Sequence, residues 1–183
     1  MGAIVMDEIA FGYLKRAVEQ FYAQDKNALE LQGMERSYVF RIAFYLQTFL
    51  NTDSRFNNVV VDCEYSKRIN PDGTISHKTA PDAENQISNI AVDLLVHTRN
   101  SHENNLLIVE FKGWWNLKSE DWENDHTRLM FYTKHPLSET EHHLGYKLGV
   151  FVRLGAKRPC FTKYKTGRVI SGRTPTYLYK RRN

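Results

Sequence analysis

Cysteine is nearly missing: Cys63 and Cys160 are the only two in 183 residues. That is too few for a disulfide framework or a cysteine-built zinc site, and Cys63 lies in an apolar run where a buried thiol is common. No stretch of eighteen apolar residues exists, so no membrane-spanning helix and no membrane partner are expected. Met1 to Val5 lead straight into Asp7 and Glu8 without the basic region and cleavage site of an export signal, and a cytoplasmic protein is the expectation. Histidine lacks zinc-ligand spacing: His142 and His143 are adjacent, His97 and His102 flank a turn, and all four read as surface residues. No repeat, low-complexity tract or Pro/Ser-rich linker divides the chain. One absence is local. From Arg153 onward there is no Asp or Glu, while ten Lys or Arg fall there, leaving fifteen basic against twenty-one acidic residues before it. Such an asymmetry suits an acidic polymer meeting one face, since clustered cations release counterions condensed on phosphates; a solvated basic tail is the plainer alternative.

With 42% hydrophobic and 13% aromatic residues the chain can bury a substantial core, and one soluble domain is expected over residues 1–183. Residues 1–33 read as an N-terminal helical extension, 34–152 as the core and 153–183 as a basic C-terminal segment. Asp7 to Gln24 and Lys26 to Gln32 read as helices. Val39, Ile42, Leu46 and Phe49 recur at helical spacing within Met34 to Leu50. Asn58 to Tyr65, Ser88 to Thr98, Asn105 to Phe111 and Tyr146 to Arg153 read as strands, with a loop or hairpin excursion over Lys67 to Glu84 and a possible last strand at Thr176 to Tyr179. A helix from Ser119 to Thr133 takes Ser119 as its N-cap and acids in its first turn. The order helix, three strands, helix, strand predicts an α/β fold around one mixed sheet.

Two strands, Ser88 to Thr98 and Asn105 to Phe111, carry charge in apolar surroundings. A symmetric turn that sets Thr98 opposite Asn105 also sets Asp93 opposite Glu110, with β-carbons about 5 Å apart. Alternation puts Glu110 and Lys112 on one face and Phe111 on the other. Facing carboxylates in such a sheet are destabilising unless something positive lies between them. Lys112 could neutralise them in a structural ion pair, though buried pairs rarely repay their desolvation. A hard cation such as Mg²⁺, with Mn²⁺ able to substitute, would take both carboxylates and the carbonyl of Phe111. Lys112 beside a metal-bound water could then orient it or help deprotonate it, the chemistry of metal-assisted phosphoryl transfer to water.

Asp93 followed by Glu110-Phe111-Lys112 at the end of an apolar strand resembles the PD-(D/E)XK nuclease superfamily, and Met34 to Val152 is similar to an uncharacterised bacterial group within it. Glu35-Arg36 opening the helix before the sheet, Cys63-Glu64-Tyr65 closing the first strand, and Asp125 with Arg128-Leu129 on the later helix carry the rest of the likeness. The resemblance implies a restriction-endonuclease-like αβββαβ core, a Mg²⁺-dependent phosphodiesterase that is an endonuclease before an exonuclease, and Lys112 as catalytic lysine. Asp93, Glu110 and Glu35 would be catalytic metal ligands, with Glu64, Asp125 and Arg128 as further site residues. Glu35 also shares a helix face with Val39, Ile42 and Leu46, which turns its carboxylate toward the core side. Val92 stands where the superfamily's name has proline, a structural position. Arg128 stands where lysine is frequent, which keeps charge without a transferable proton.

Lys157, Arg158, Lys163, Lys165, Arg168 and Arg173, interleaved with Phe161, Tyr164, Tyr177 and Tyr179, would suit a nucleic-acid track, although a final amphipathic strand explains the same residues. Trp114 and Trp115 could stack on bases or pack at the rim. DNA is the expected polymer with RNA as the alternative, and a homodimer would suit cleavage of two strands. A catalytically inactive nucleic-acid-binding or partner-binding domain is the competing reading.

Overall fold

The computed structural model describes residues 5–70, 72–81, 86–89, 91–99, 104–116, 118–134 and 144–172. The strand expected at Thr176 to Tyr179, together with His102, His142, His143 and Arg173, lies outside them. Helix α1 (Met6–Gln24) buries Ala10, Leu14, Ala17, Val18 and Phe21 along one stripe. A single turn, α2 (Asn27–Glu30), leads into α3 (Glu35–Leu50), which buries Tyr38, Val39, Ile42, Leu46 and Leu50. These stripes form one hydrophobic cluster with the sheet. The expected N-terminal extension therefore contributes directly to the main core.

Strand β1 (Val60–Tyr65) is followed by two small hairpins, β2 (Lys67–Ile69) with β3 (Ile75–His77) and β4 (Thr79–Pro81) with β5 (Ile87–Asn89). Then come β6 (Val92–His97), β7 (Leu107–Gly113), α4 (Ser119–Tyr132), β8 (Leu148–Leu154), β9 (Pro159–Lys165) and β10 (Arg168–Ser171). The main sheet runs β1-β6-β7-β8-β9-β10. Only β7 and β8 are parallel, bridged by α4 as a crossover, so the sheet is mixed. Leaving the hairpins aside, α3, β1, β6, β7, α4 and β8 follow the expected order.

Alternation along the central strands explains the layers. Leu107, Val109 and Phe111 of β7 meet α1 and α3, whereas Ile108 meets Leu129 and Tyr132 of α4. With both faces covered, β7 is buried along its whole length. Two boundaries differ from the sequence reading. The apolar run from Ser88 to Thr98 is shared between two sheets, β5 pairing with β4 and β6 with β1 and β7, and Ala91 between them is exposed. The core also does not stop at Val152: β9 pairs with β8 from Gly149 to Leu154, since a central apolar strand left unpaired on one side would expose its backbone groups. Among the described residues no helix is long and apolar enough to cross a membrane.

Candidate active site

The β6–β7 ladder sets Val96 opposite Leu107, Leu95 opposite Ile108 and Leu94 opposite Val109. Continued one step, that register puts Asp93 across from Glu110, as the symmetric turn requires. The ladder's last pair is Leu94 with Val109, and beyond it the Asp93 carboxylate accepts the Phe111 N–H at 2.7 Å. On the other side, Cys63 pairs with Leu94 and Tyr65 with Val92, so Glu64 falls opposite Asp93. Glu64, Asp93 and Glu110 thus form one row across three strands. Glu64 has a φ of 49°, uncommon for a non-glycine residue, and it is exposed, paired with Arg36 at the N-terminus of α3.

Glu110 and Lys112 point to the α4 face and are 2% and 7% exposed. Lys112 Nζ lies 2.9 Å from Asp125 Oδ2 on α4 and 3.4 Å from Glu35 Oε1 at the start of α3. Arg128, one turn after Asp125, places Nη1 3.2 Å from Asp125 Oδ1 and 3.6 Å from Glu110 Oε1. The result is an alternating chain, Glu35, Lys112, Asp125, Arg128, Glu110, with Asp93 near enough for its charge to act on Glu110. Six residues from four elements, separated by up to 93 positions, are brought together. The Tyr38 hydroxyl donates to Glu35 Oε2 at 3.1 Å. Tyr38 was not expected here, though its place three residues after Glu35 on the same helix is a signal for it.

The charges do not balance. Glu35, Asp93, Glu110 and Asp125 stand against Lys112 and Arg128. Burial, then the charge of Glu35, raises the Asp93 pKa to about 7, with Lys112 and the Phe111 amide offsetting only part. Burial, followed by Asp93 and Asp125, pushes Glu110 well up. Asp125 is also raised by burial, against the pull of Lys112 and Arg128. Burial disfavours the Lys112 ammonium, but Asp125, Asp93 and Glu35 outweigh it and hold the lysine above its ordinary pKa. Glu110 Oε1 is buried and accepts no hydrogen bond. An interior carboxylate oxygen with only a cation at 3.6 Å is poorly satisfied.

Among the described residues no three His, Cys, Asp or Glu side chains converge into a ready-made metal cage, and Lys112 and Arg128 stand between the carboxylates. The donor set is nonetheless all oxygen, which suits a hard cation. The Phe111 N–H faces Asp93, and in an extended strand the carbonyl of the same residue points to that side as well. A cleft of about 520 Å³ opens on this cluster, lined by Met34, Glu35, Arg36, Val39, Phe40, Cys63, Glu64 and Asp93. The Cys63 thiol is pushed up to about 11 by burial and then by Asp62, Asp93 and Glu64, so it is not a nucleophile here.

Trp115 packs edge-on to Tyr38 at 6.0 Å. It also covers Gly113, where an added β-carbon would lie 2.6 Å from its ring, so rim packing accounts for this tryptophan. His97 is not a surface residue: it is 6% exposed, and its Nε2 lies 3.0 Å from Asp62, which Arg99 also holds. Strand alternation turns both side chains inward, where they satisfy each other.

The basic residues divide by position. Lys157 and Arg158 are exposed on the turn after β8, and because β7 and β8 are parallel this turn lies at the Lys112 end of the sheet. Arg168 is exposed beside the β9–β10 turn at the opposite end. Lys163 and Lys165 pair with Glu8 and Asp7 of α1, at 2.7 and 3.0 Å. Arg153 was overlooked as a site neighbour. It sits in register with Lys112, its guanidinium 5.0 Å from the Trp122 ring centroid and its buried Nε without a hydrogen bond.

No family model, curated protein or solved structure matches the chain.

Proposed function

We propose that the chain is a divalent-metal-dependent nuclease that hydrolyses phosphodiester bonds, DNA before RNA, at the cluster of Glu35, Asp93, Glu110 and Lys112. The observation that carries this reading is a surplus of acid, with Glu110 and Asp125 buried and Glu35 and Asp93 half-buried: four carboxylates face two cations, and Glu110 Oε1 is left without a hydrogen bond. A purely structural ion-pair network gains by balancing its charges. Here the excess equals the charge of one divalent ion, and without such an ion it is met by protons, which is what the raised Asp93 and Glu110 express.

Asp93, Glu110, Glu35 and the Phe111 carbonyl would hold Mg²⁺, or Mn²⁺ in its place. The bound ion supplies Lewis-acid polarisation of the phosphate and a water of lowered pKa. Lys112 acts as a cation and donor, because the acids around it keep its proton on; orienting the attacking water and offsetting charge on the phosphorane suit it better than proton abstraction. Asp125 positions Lys112 and Arg128 together, and Arg128 can turn from Glu110 to a phosphate oxygen once the carboxylate has another partner. The sequence of α3, β1, β6, β7, α4 and β8, with Asp93 on β6 and Glu110-Phe111-Lys112 on β7, supports the restriction-endonuclease-like core and the PD-(D/E)XK resemblance.

The test is cleavage of circular and linear DNA in Mg²⁺ or Mn²⁺ by the wild type, Asp93→Asn and Lys112→Met. Both substitutions are expected to lower the rate by roughly 10²-fold or more, with the fold intact by circular dichroism. Unchanged cleavage in both variants overturns the assignment. Salt-sensitive DNA binding without cleavage in any divalent metal would favour the inactive binding domain instead.

A further inference from the structure

The cleft beside the acid cluster has a second character. Its lining includes the acids Glu35 and Asp93 together with the apolar Met34, Val39 and Phe40. Met34 and Phe40 are 72% and 63% exposed, and with Leu31 and Phe44 they put four of the exposed large apolar residues between positions 31 and 44. Such clustering is unusual on a surface without a binding role. Phe44 lies against Tyr45 at 5.8 Å and Arg41 at 5.9 Å. Phe40 meets no ring or cation among the described residues. An aromatic ring thus lines the same cavity as Glu35 and Asp93 of the acid cluster.

Electrostatics decides which part of a nucleotide would enter. Arg36, also in the lining, is paired with Glu64, which leaves Glu35 and Asp93 to repel a phosphate unless a further cation intervenes, so the phosphodiester belongs at Lys112 and Arg128. A base is neutral, offers π-faces for stacking, and in three of the four common types carries amino donors that a carboxylate can accept. The volume of about 520 Å³ lies within the range of small-molecule pockets, roughly 300–1,000 Å³. A base still stacked inside a duplex cannot offer its faces to Phe40.

We propose that the cleft takes the base of an unstacked nucleotide, with its ring against Phe40, next to the phosphodiester held at the acid cluster. The substrate is then single-stranded or locally unpaired nucleic acid, and continuous duplex is disfavoured. This specificity rests on the nuclease reading above, while the stacking itself can be measured without turnover.

The experiment compares the wild type, Phe40→Ala, Phe40→Trp and Phe44→Ala on one sequence presented as a single strand, as a duplex with an unpaired end, and as a blunt duplex, all in Mn²⁺. A single strand carrying 2-aminopurine, titrated by fluorescence in EDTA and in Ca²⁺, reports stacking. The expected result is faster cutting of the two unpaired substrates and quenching of the 2-aminopurine. Phe40→Ala should lower kcat/KM on them, and affinity for the single strand, by roughly five- to a hundred-fold, with Phe40→Trp restoring both and Phe44→Ala like wild type. Cleavage that ignores strandedness and Phe40 overturns this inference and leaves the nuclease reading standing. Quenching that needs Phe40 without any cleavage supports the base pocket and removes the hydrolytic reading. Equal losses in Phe40→Ala and Phe44→Ala overturn it, as does the absence of both cleavage and quenching, which also removes the nuclease reading.

Discussion

Burial first, then the charge of Glu35, raises Asp93, whereas at Lys112 the surrounding acids outweigh burial. In the unfolded chain an aspartate loses its proton near 3.8, whereas folded Asp93 keeps it to about 7. Between those values the folded state binds the extra proton, so this group's contribution favours folding at low pH and is lost as pH rises through 7. Asp93→Asn removes that loss. In metal-free buffer the variant is expected to be more stable than the wild type at pH 8, by about 1 kcal/mol or more, and no more stable at pH 4. For a chain of this size 1 kcal/mol is roughly 2–4 °C in Tm. On the proposed nuclease reading, Mg²⁺ bound at Asp93 would have to displace the same proton. Its stabilisation of the wild type should therefore be absent near pH 5 and grow toward pH 8, and it should vanish in Asp93→Asn. Thermal melts across that range decide this; a Mg²⁺ shift equal at pH 5 and pH 8 would contradict the assignment of Asp93 as a ligand.

Helix α1 shows how an element can be legible while its role is not. Its amphipathic stripe marks a helix, but the same stripe would serve a loose extension or a partner's surface. In the fold it lies on α3 and the sheet, and Phe21 is fully buried between them, near Tyr22 and Tyr38. Phe21→Ala is expected to cost about 3–5 kcal/mol in chemical denaturation. A cost under about 1 kcal/mol would mean that α1 packs loosely and the core begins at α3. The Tyr22 hydroxyl also donates to the Gly155 carbonyl at 2.6 Å, tying α1 to the turn that carries Lys157 and Arg158. An aromatic at that position was readable in the sequence; its partner, 133 residues away, was not.

Across the whole molecule, the excess of positive charge after Arg153 is not one surface. Lys163 and Lys165 are committed to Glu8 and Asp7, and Asp7 is fully buried, so Lys165 answers a structural charge. Lys157 and Arg158 are exposed at the candidate site's end of the sheet. Replacing both with Gln should weaken DNA binding and make the slope of log K against log[salt] shallower by roughly 0.7–0.9 for each phosphate contact removed. Lys165→Met should chiefly lower stability, because it leaves a buried carboxylate without its cation. Filter binding across a salt series and a denaturation curve separate the two outcomes. A larger salt effect from Lys165→Met than from the Lys157/Arg158 pair would place the nucleic-acid face at the other end of the sheet.

The sequence by itself determined α1, α3, α4, the strands β1, β6, β7 and β8 in outline and the β6–β7 register, because helical and strand periodicity are local and a hairpin's pairing follows from its turn; β9 and β10 came only with the fold. That was enough to set Asp93 opposite Glu110 and to turn Lys112 to the same face as Glu110. Only the tertiary structure decided that α4 brings Asp125 and Arg128 onto that face and that α3 brings Glu35 within reach of Lys112, since such contacts depend on how helices pack across a sheet. It likewise turned His97 inward to Asp62 and drew Lys163 and Lys165 into ion pairs with α1, outcomes that composition cannot distinguish from a free charged surface. The surplus of buried acid follows from the same packing. Periodicity names the carboxylates, and three-dimensional proximity decides how many cations they share.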